Sequence, residues 1–371
     1  MHSYPQQANP TREVSPTASA GSGPGWNRSI AALQRMVDAV PTLSGLEATL
    51  ASGVRDALAA ERAGTIGAQE ARRQLSRAVQ DYVRAVFLDD LAAAPRSGVT
   101  AVRRGAIDLD GVLERDPLGF PYLTPVAARA LRALLAHGTE LVLATGRSLS
   151  HVLDRCQTYR LAGGVAEYGS VIYDHRRGLR RTLVPSDEWT ALGRIRALLA
   201  REPGVEVDPG YAYVARAFEP RRDGPRRGLS GDLVAAMLEA AMLEAARPAA
   251  LRVSAASTQT DFVAGSVHKG TGLLALAAEL GWPQRLDFAI GDSVEDLPML
   301  RMASFPFAPA NAEAGVGEAG IDVMAGGFQH GFAEAVGHFL GHPPGSCPVC
   351  RLPEQGRVTR RVLSVLGIPD R

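Results

Sequence analysis

Two aspartates one residue apart close an apolar run in Ala106-Ile-Asp-Leu-Asp-Gly-Val-Leu113. In extended backbone alternate side chains share a side, so Asp108 and Asp110 point together while Leu109 turns into the packing. Two adjoining carboxylates can hold a divalent cation and divide nucleophilic and acid–base work, and Gly111 lets the chain turn sharply away. Taken alone, the same string also fits an Asx turn or a fragment of a calcium loop. A second apolar run, Leu141-Val-Leu-Ala-Thr-Gly-Arg147, ends in a hydroxyl and a glycine. There Thr145, Gly146 and backbone N–H groups at a helix start could bind a phosphate oxygen, although Thr-Gly also serves simply to begin a helix. A third run, Phe288-Ala-Ile-Gly-Asp-Ser-Val-Glu-Asp-Leu-Pro, delivers Asp292 and Asp296 with Glu295 between them.

Of the 40 Lys and Arg residues a single one, Lys269, is a lysine. An Arg-rich, Ala-rich composition suggests that arginine stands wherever it will serve, so the retained lysine marks a place for a compact ammonium that a planar guanidinium cannot mimic. A chance survivor on a solvated surface is the alternative. It stands in Val267-His-Lys-Gly-Thr-Gly-Leu273, at the head of the helical run 273–280, near an anion-attracting helix start. Toward the C-terminus, His338, His342, Cys347 and Cys350 could complete four zinc ligands, since C-x-x-C chelates from a tight turn. The histidines precede the cysteines, unlike a standard finger, and Gly341 and Pro343 should end the helix before His342. A redox dithiol and an unligated turn stay open beside zinc.

Short apolar strands alternating with helices must carry these residues. Strands are predicted over 101–108, 140–144, 164–167 and 286–290, with a helix over 125–137 that Gly138 can end. This is the rhythm of an α/β domain with a parallel sheet, which binds ligands at the strands' carboxyl ends. Between 173 and 265 the composition shifts toward a separate α+β insert: a strand at 182–184, a helix over 186–201, a hairpin around 208–213, a helix over 233–246 and a closing strand pair. Its Arg221, Arg222, Arg226 and Arg227 could meet a second anionic group or form a solvated charge run. Residues 1–26, rich in Pro, Ser and Gly, read as a disordered tail, and 27–97 as a helical module of about three helices divided near Pro41 and residues 64–67. An apolar stripe of Leu75, Val79, Tyr82, Val86 and Leu91 runs along it, for packing on the rest of the protein or for a partner or second copy.

The order D-x-D-G, T-G-R, K-G and G-D-S-x-x-D resembles the four motifs of the haloacid dehalogenase superfamily of phosphohydrolases. About 35 residues separate the first two motifs and over 120 the second and third, a spacing similar to the Cof-like and sucrose-phosphatase-like branch with a C2-type cap. The resemblance implies a Rossmann-like core over 98–172 and 266–341, a cap over 173–265 and a C-terminal tail over 342–371. It further implies that Asp108 is the nucleophile, that Asp110 exchanges protons with the leaving group and water, and that Thr145, Gly146 and Lys269 hold the phosphate. Mg2+ would sit between Asp108, the backbone carbonyl of Asp110 and Asp292, with Asp296 orienting Lys269 or a metal-bound water. Glu295 and Tyr168 stand where many relatives carry Asn.

The remaining bounds are broad. At 371 residues the chain exceeds what one core serves, so two folding units or more are expected. Basic and acidic residues balance at 40 and 39, which leaves no global attraction for nucleic acid or anionic lipid. Three cysteines make no disulfide framework, and neither a signal peptide nor about 18 unbroken apolar residues is present, so a cytoplasmic protein is expected. The expected activity is hydrolysis of a small phosphorylated metabolite, above all a sugar phosphate. A phosphomutase of the same superfamily, or a non-catalytic binding protein using the helical module, are the alternatives.

Overall fold

The computed structural model describes residues 31, 34, 35 and 38, then 45–92, 102–221, 226–243 and 250–367. The tail 1–26, Pro41, Arg222 and the end of the helix expected over 233–246 lie outside the described residues. Residues 31, 34, 35 and 38 are helical, and helices α1 (Leu46–Arg62) and α2 (Ala68–Phe87) follow. The α/β succession follows as β1 (Arg103–Ile107), α3 (Pro125–Ala136), β2 (Thr139–Ala144), α4 (Leu149–Tyr159), β3 (Gly163–Ala166), β4 (Val171–Asp174) and β5 (Leu179–Thr182). The chain then forms α5 (Ser186–Leu199), β6 (Glu206–Val207), β7 (Ala215–Phe218), α6 (Gly231–Leu243), β8 (Leu251–Ala256) and β9 (Gln259–Ala264). It returns through α7 (Lys269–Leu280), β10 (Leu286–Ile290), α8 (Leu297–Leu300), β11 (Ala303–Ala308), α9 (Ala314–Glu318), β12 (Asp322–Val323), α10 (Phe328–Leu340) and α11 (Arg357–Leu366).

Eight strands make the main sheet in the order β12-β11-β10-β1-β2-β3-β4-β5, parallel from β12 to β3. Its central strands are buried on both faces and carry continuous apolar runs, as a helix-covered parallel sheet requires. Strand β1 lies between β10 and β2, with Ile107 level with both Ile290 and Leu143. The carboxyl ends of these three strands therefore open one crevice where the strand order reverses, the usual ligand site of such sheets.

The insert was expected to begin at 173 with a strand at 182–184, but β4 and β5, which ends at Thr182, extend the main sheet by antiparallel pairing. Once Tyr173 and Ile172 are buried beside β3, pairing satisfies the backbone there better than a separate unit would. The second sheet, β6-β7-β9-β8, is antiparallel throughout, and α5 and α6 cover it with Leu192, Ile195, Leu199, Ala215, Ala217 and Phe262 in its core.

The N-terminal helices share a core with the main sheet. Leu75, Val79, Tyr82 and Val86 are buried in one cluster with Leu131, Leu134, Ile107 and, from α11, Val362 and Leu366. Of the two uses the sequence left open for this stripe, packing on the rest of the chain is the one seen, each large side chain contributing about 1.5–3 kcal/mol of burial. Polar ties reinforce the seam: Tyr122 Oη donates to the Leu366 carbonyl at 2.9 Å, and Thr359 Oγ1 to Glu47 at 2.7 Å. Among the described residues no helix is long and apolar enough to cross a membrane.

Candidate active site

Each carboxylate reaches the crevice because a buried strand ends there. Asp108 follows β1, Thr145 follows β2 and Asp292 follows β10, while Lys269 opens α7. The position of Lys269 is fixed by a reciprocal cap: Thr271 N donates to His268 Nδ1 at 3.2 Å and His268 N donates to Thr271 Oγ1 at 2.9 Å. Two glycines permit the close approach. Gly111 has φ +78°, and a Cβ there would lie 2.0 Å from Asp292 Oδ2; Gly169 has φ +107°, and a Cβ would lie 2.2 Å from the His268 carbonyl. The tight turn before Gly169 also holds Glu167 and Tyr168 at φ +52° and +61°.

At the centre the Lys269 ammonium donates to Asp108 Oδ1 at 2.7 Å and to Asp296 Oδ1 at 2.5 Å, all three side chains buried. Asp296 Oδ2 accepts from the backbone N–H of Asp292 and Ser293 and from Ser293 Oγ, at 2.9–3.1 Å. Carboxylate oxygens of Asp108, Asp292 and Asp296 lie within 4.8 Å of one another. Burial drives Asp108 well above the ordinary carboxylate range, Lys269 opposing and Asp296 and Asp292 adding to the rise. Burial and then Asp296 push Asp292 up to about 7. Burial would lower Lys269, but Asp108 and Asp296 hold it above its ordinary range.

Three carboxylates sharing one ammonium leave uncompensated negative charge, and all the donors are hard oxygens. That set fits a divalent cation such as Mg2+. Asp110, whose carboxylate stands outside this trio, remains half exposed and takes a two-point contact from Arg147, Nε to Oδ2 at 2.7 Å and a terminal nitrogen to Oδ1 at 2.6 Å. Desolvation would raise Asp110, but Arg147 outweighs it and holds the carboxyl below its usual range. Thr145 is buried, its Oγ1 accepting from Arg147 N at 3.1 Å; Gly146 packs so closely on the Tyr168 ring that a Cβ would lie 2.5 Å from it.

The second sheet leans over this crevice. Tyr168 Oη donates to Asp261 Oδ2 at 2.7 Å, and Arg216 grips the same carboxylate with two bonds of 2.7 Å. Arg252 on β8 meets Glu295 at 2.7 and 2.8 Å, joining the second sheet to the loop that carries Asp292. The arginines at 226 and 227 bond Gln259 and Glu219 within the second unit. Sequence reasoning missed the Arg147 contact and Asn311, whose Nδ2 donates to Asp292 Oδ2 at 3.0 Å and to the Gly111 carbonyl at 3.3 Å. The signal for Asn311 was a polar residue just beyond the apolar run of β11.

The C-terminal ligand set needs correcting. His338 is exposed on α10, its ring edge-on to Phe307 at 6.5 Å, and stands apart from the others. Gly341, with φ +76°, ends the helix and turns His342 away from the face that carries His338. The histidine that joins His342, Cys347 and Cys350 is His137, from the α3–β2 turn.

A family profile described as haloacid dehalogenase-like hydrolase matches residues 237–336. A phosphoglycolate phosphatase of Methanothrix thermoacetophila is 28% identical over 63% of this chain and 95% of its own length, and one of Methanoculleus marisnigri is 27% identical over 58% and 88%. Among solved structures, one from Thermoplasma acidophilum (15% identical) covers 64% of this chain and 98% of its own, at a TM-score of 0.50. A haloacid dehalogenase-like hydrolase from Bacteroides thetaiotaomicron (18% identical) covers 64% and 99%, also at 0.50. At these identities the solved structures share the fold, whereas the profile and the near full-length phosphatases speak to the chemistry. By the profile and the phosphatase relatives this chain belongs to the haloacid dehalogenase-like hydrolases and is a phosphatase of that superfamily.

Proposed function

We propose that this phosphatase is Mg2+-dependent and works through an aspartyl-phosphate on Asp108, and that its substrate is a small phosphomonoester with a second anionic group, 2-phosphoglycolate first. The observation that carries the mechanism is the buried Lys269 ammonium bonded at once to Asp108 and Asp296. Lys269 fixes the Asp108 carboxylate and leaves a cation beside the phosphate oxygens, where charge gathers in the transition state. Thr145 and the Gly146 backbone complete the phosphate cradle. Asp108, the Asp110 carbonyl and Asp292 would hold the Mg2+, which supplies the neutralisation a carboxylate needs to approach an anionic phosphate.

Asp108 attacks phosphorus, the bond to the leaving oxygen breaks, and Asp110 gives that oxygen a proton. Asp110 then takes a proton from water as the water attacks the phosphorus, and the Asp108–phosphorus bond breaks to release phosphate. In the free protein Arg147 keeps Asp110 ionised. A substrate carboxylate that draws Arg147 to itself raises the proton affinity of Asp110 as it is needed as an acid. Independently, the similar proteins named phosphoglycolate phosphatase support the same choice of substrate. The second unit would serve as a cap, closing over the crevice with Asp261 and Arg216 at its inner surface, facing Tyr168 of the main sheet. None of the three cysteines is in a disulfide, which supports a reducing, cytoplasmic setting.

The test is phosphate release from phosphoglycolate, sugar phosphates, phosphoglycerates and nucleotides, with Mg2+ or EDTA, comparing the wild type with Asp108→Asn. Metal-dependent turnover that vanishes in the variant, with phosphoglycolate preferred, supports the proposal. Turnover that survives EDTA or the variant overturns the mechanism; preference for a neutral sugar phosphate overturns the substrate.

A further inference from the structure

Far from the carboxylate trio, four soft donors converge from two distant parts of the chain. His137 Nε2 lies 3.2 Å from His342 Nε2 and 3.3 Å from Cys347 Sγ, and Cys347 Sγ lies 3.4 Å from Cys350 Sγ. All four donor atoms fall within 4.8 Å of one another. A tetrahedral zinc ion with bonds of about 2.0–2.1 Å to nitrogen and 2.3 Å to sulfur separates its donors by about 3.3–3.8 Å. We propose that His137, His342, Cys347 and Cys350 form a structural zinc site that pins the C-terminal segment to the turn between α3 and β2.

The surroundings are built for ligation. His342 Nδ1 lies 3.0 Å from the Pro343 carbonyl, so its N–H donates there and the Nε2 lone pair faces the cluster, as the second hydrogen bond of a metal-bound histidine should. Gly345 N donates to Cys350 Sγ at 3.2 Å, a contact that fixes the sulfur within the turn. Gly345 has φ +85°, and a Cβ there would lie 2.9 Å from the Arg129 side chain, so the turn can approach α3 only as glycine. Buried Arg132 holds the same loop from below, donating to the carbonyls of Cys350 and Arg351 at 3.2 Å and to Phe87 O at 2.8 Å.

The chemistry selects the metal. Two thiolates and two imidazoles suit zinc and not the oxygen-seeking Mg2+, and four protein ligands leave no open position for a reacting water. The site is therefore structural. It ties down the loop before α11, whose Leu366 is buried in the shared core and accepts from Tyr122.

The experiment is the zinc content of the full-length protein, purified without chelator, for the wild type and for His137→Ala, Cys347→Ser and His338→Ala. About one zinc per chain is expected in the wild type and in His338→Ala, falling below about a tenth in the other two. Should those two fold poorly, Co2+ added to the demetallated wild type gives an independent reading. A tetrahedral d–d absorption with sulfur-to-cobalt charge transfer supports the site. A wild type that contains no zinc and gives no such spectrum overturns it, as does loss of zinc in His338→Ala with retention in His137→Ala. A Cys347–Cys350 disulfide in place of metal in freshly purified protein overturns it also. Metal-dependent phosphatase failure leaves these readings untouched, so the two proposals fail separately.

Discussion

Arg147 and Asp110 form a two-point ion pair at 2.6 and 2.7 Å, which places the only described cation touching Asp110 on the residue two beyond Thr145. A substrate carboxylate would compete for that guanidinium. Arg147→Ala should therefore raise KM for phosphoglycolate by roughly tenfold to a hundredfold, the worth of a charged hydrogen bond, and raise it much less for p-nitrophenyl phosphate. Equal changes on both substrates would remove Arg147 from substrate recognition.

Lys269→Arg keeps the charge but replaces a compact ammonium with a wide planar head between Asp108 and Asp296. We expect kcat to fall by about a hundredfold to a thousandfold, with a melting temperature close to the wild type's. Near-normal turnover would contradict the significance given to the lone lysine.

Metal and pH should act on stability together. Asp292 rises from 3.8 to about 7 on folding and Asp108 moves in the same direction. The folded state then binds more protons than the unfolded one, so their contribution favours folding at low pH and is lost as pH climbs to about 7. A cation that binds the ionised carboxylates reverses this loss. The stabilisation on adding Mg2+, about 2.7 kcal/mol at a hundredfold excess over Kd and read as a rise in melting temperature, should be larger at pH 8 than at pH 5.5. A gain independent of pH would count against these carboxylates as the ligands.

The N-terminal helices should unfold with the catalytic unit. Leu75→Ala opens a cavity in the shared core and should cost about 2–5 kcal/mol. A single transition, coincident by fluorescence and by loss of phosphate release, is the expected result; an early transition that spares activity would show the helices to be independent.

The strands at the site were legible because each is an apolar run that stops at a carboxylate or hydroxyl, and β10 was read to the residue. The single lysine was legible from composition alone. Arg147 was not, since T-G-R says nothing of which way the guanidinium turns, and Asn311 was not, since it acts through Asp292 from 19 residues away. That β4 and β5 join the main sheet was not legible, because a short strand carries no label for the sheet it joins. His137 was hidden for a related reason: two hundred residues separate it from Cys347, and only the packing of α10 against α3 brings them together.

Both margins of the main sheet carry a safeguard against polymerisation. Strand β5, exposed along its whole length, places Arg180 and Arg181 on one border, while β12 on the other is only two residues long. A second chain that tried to add a strand would meet two exposed arginines on one flank, one of them paired with Glu279, and almost no template on the other. The sheet of eight strands thus offers little at either border that would nucleate growth by strand addition.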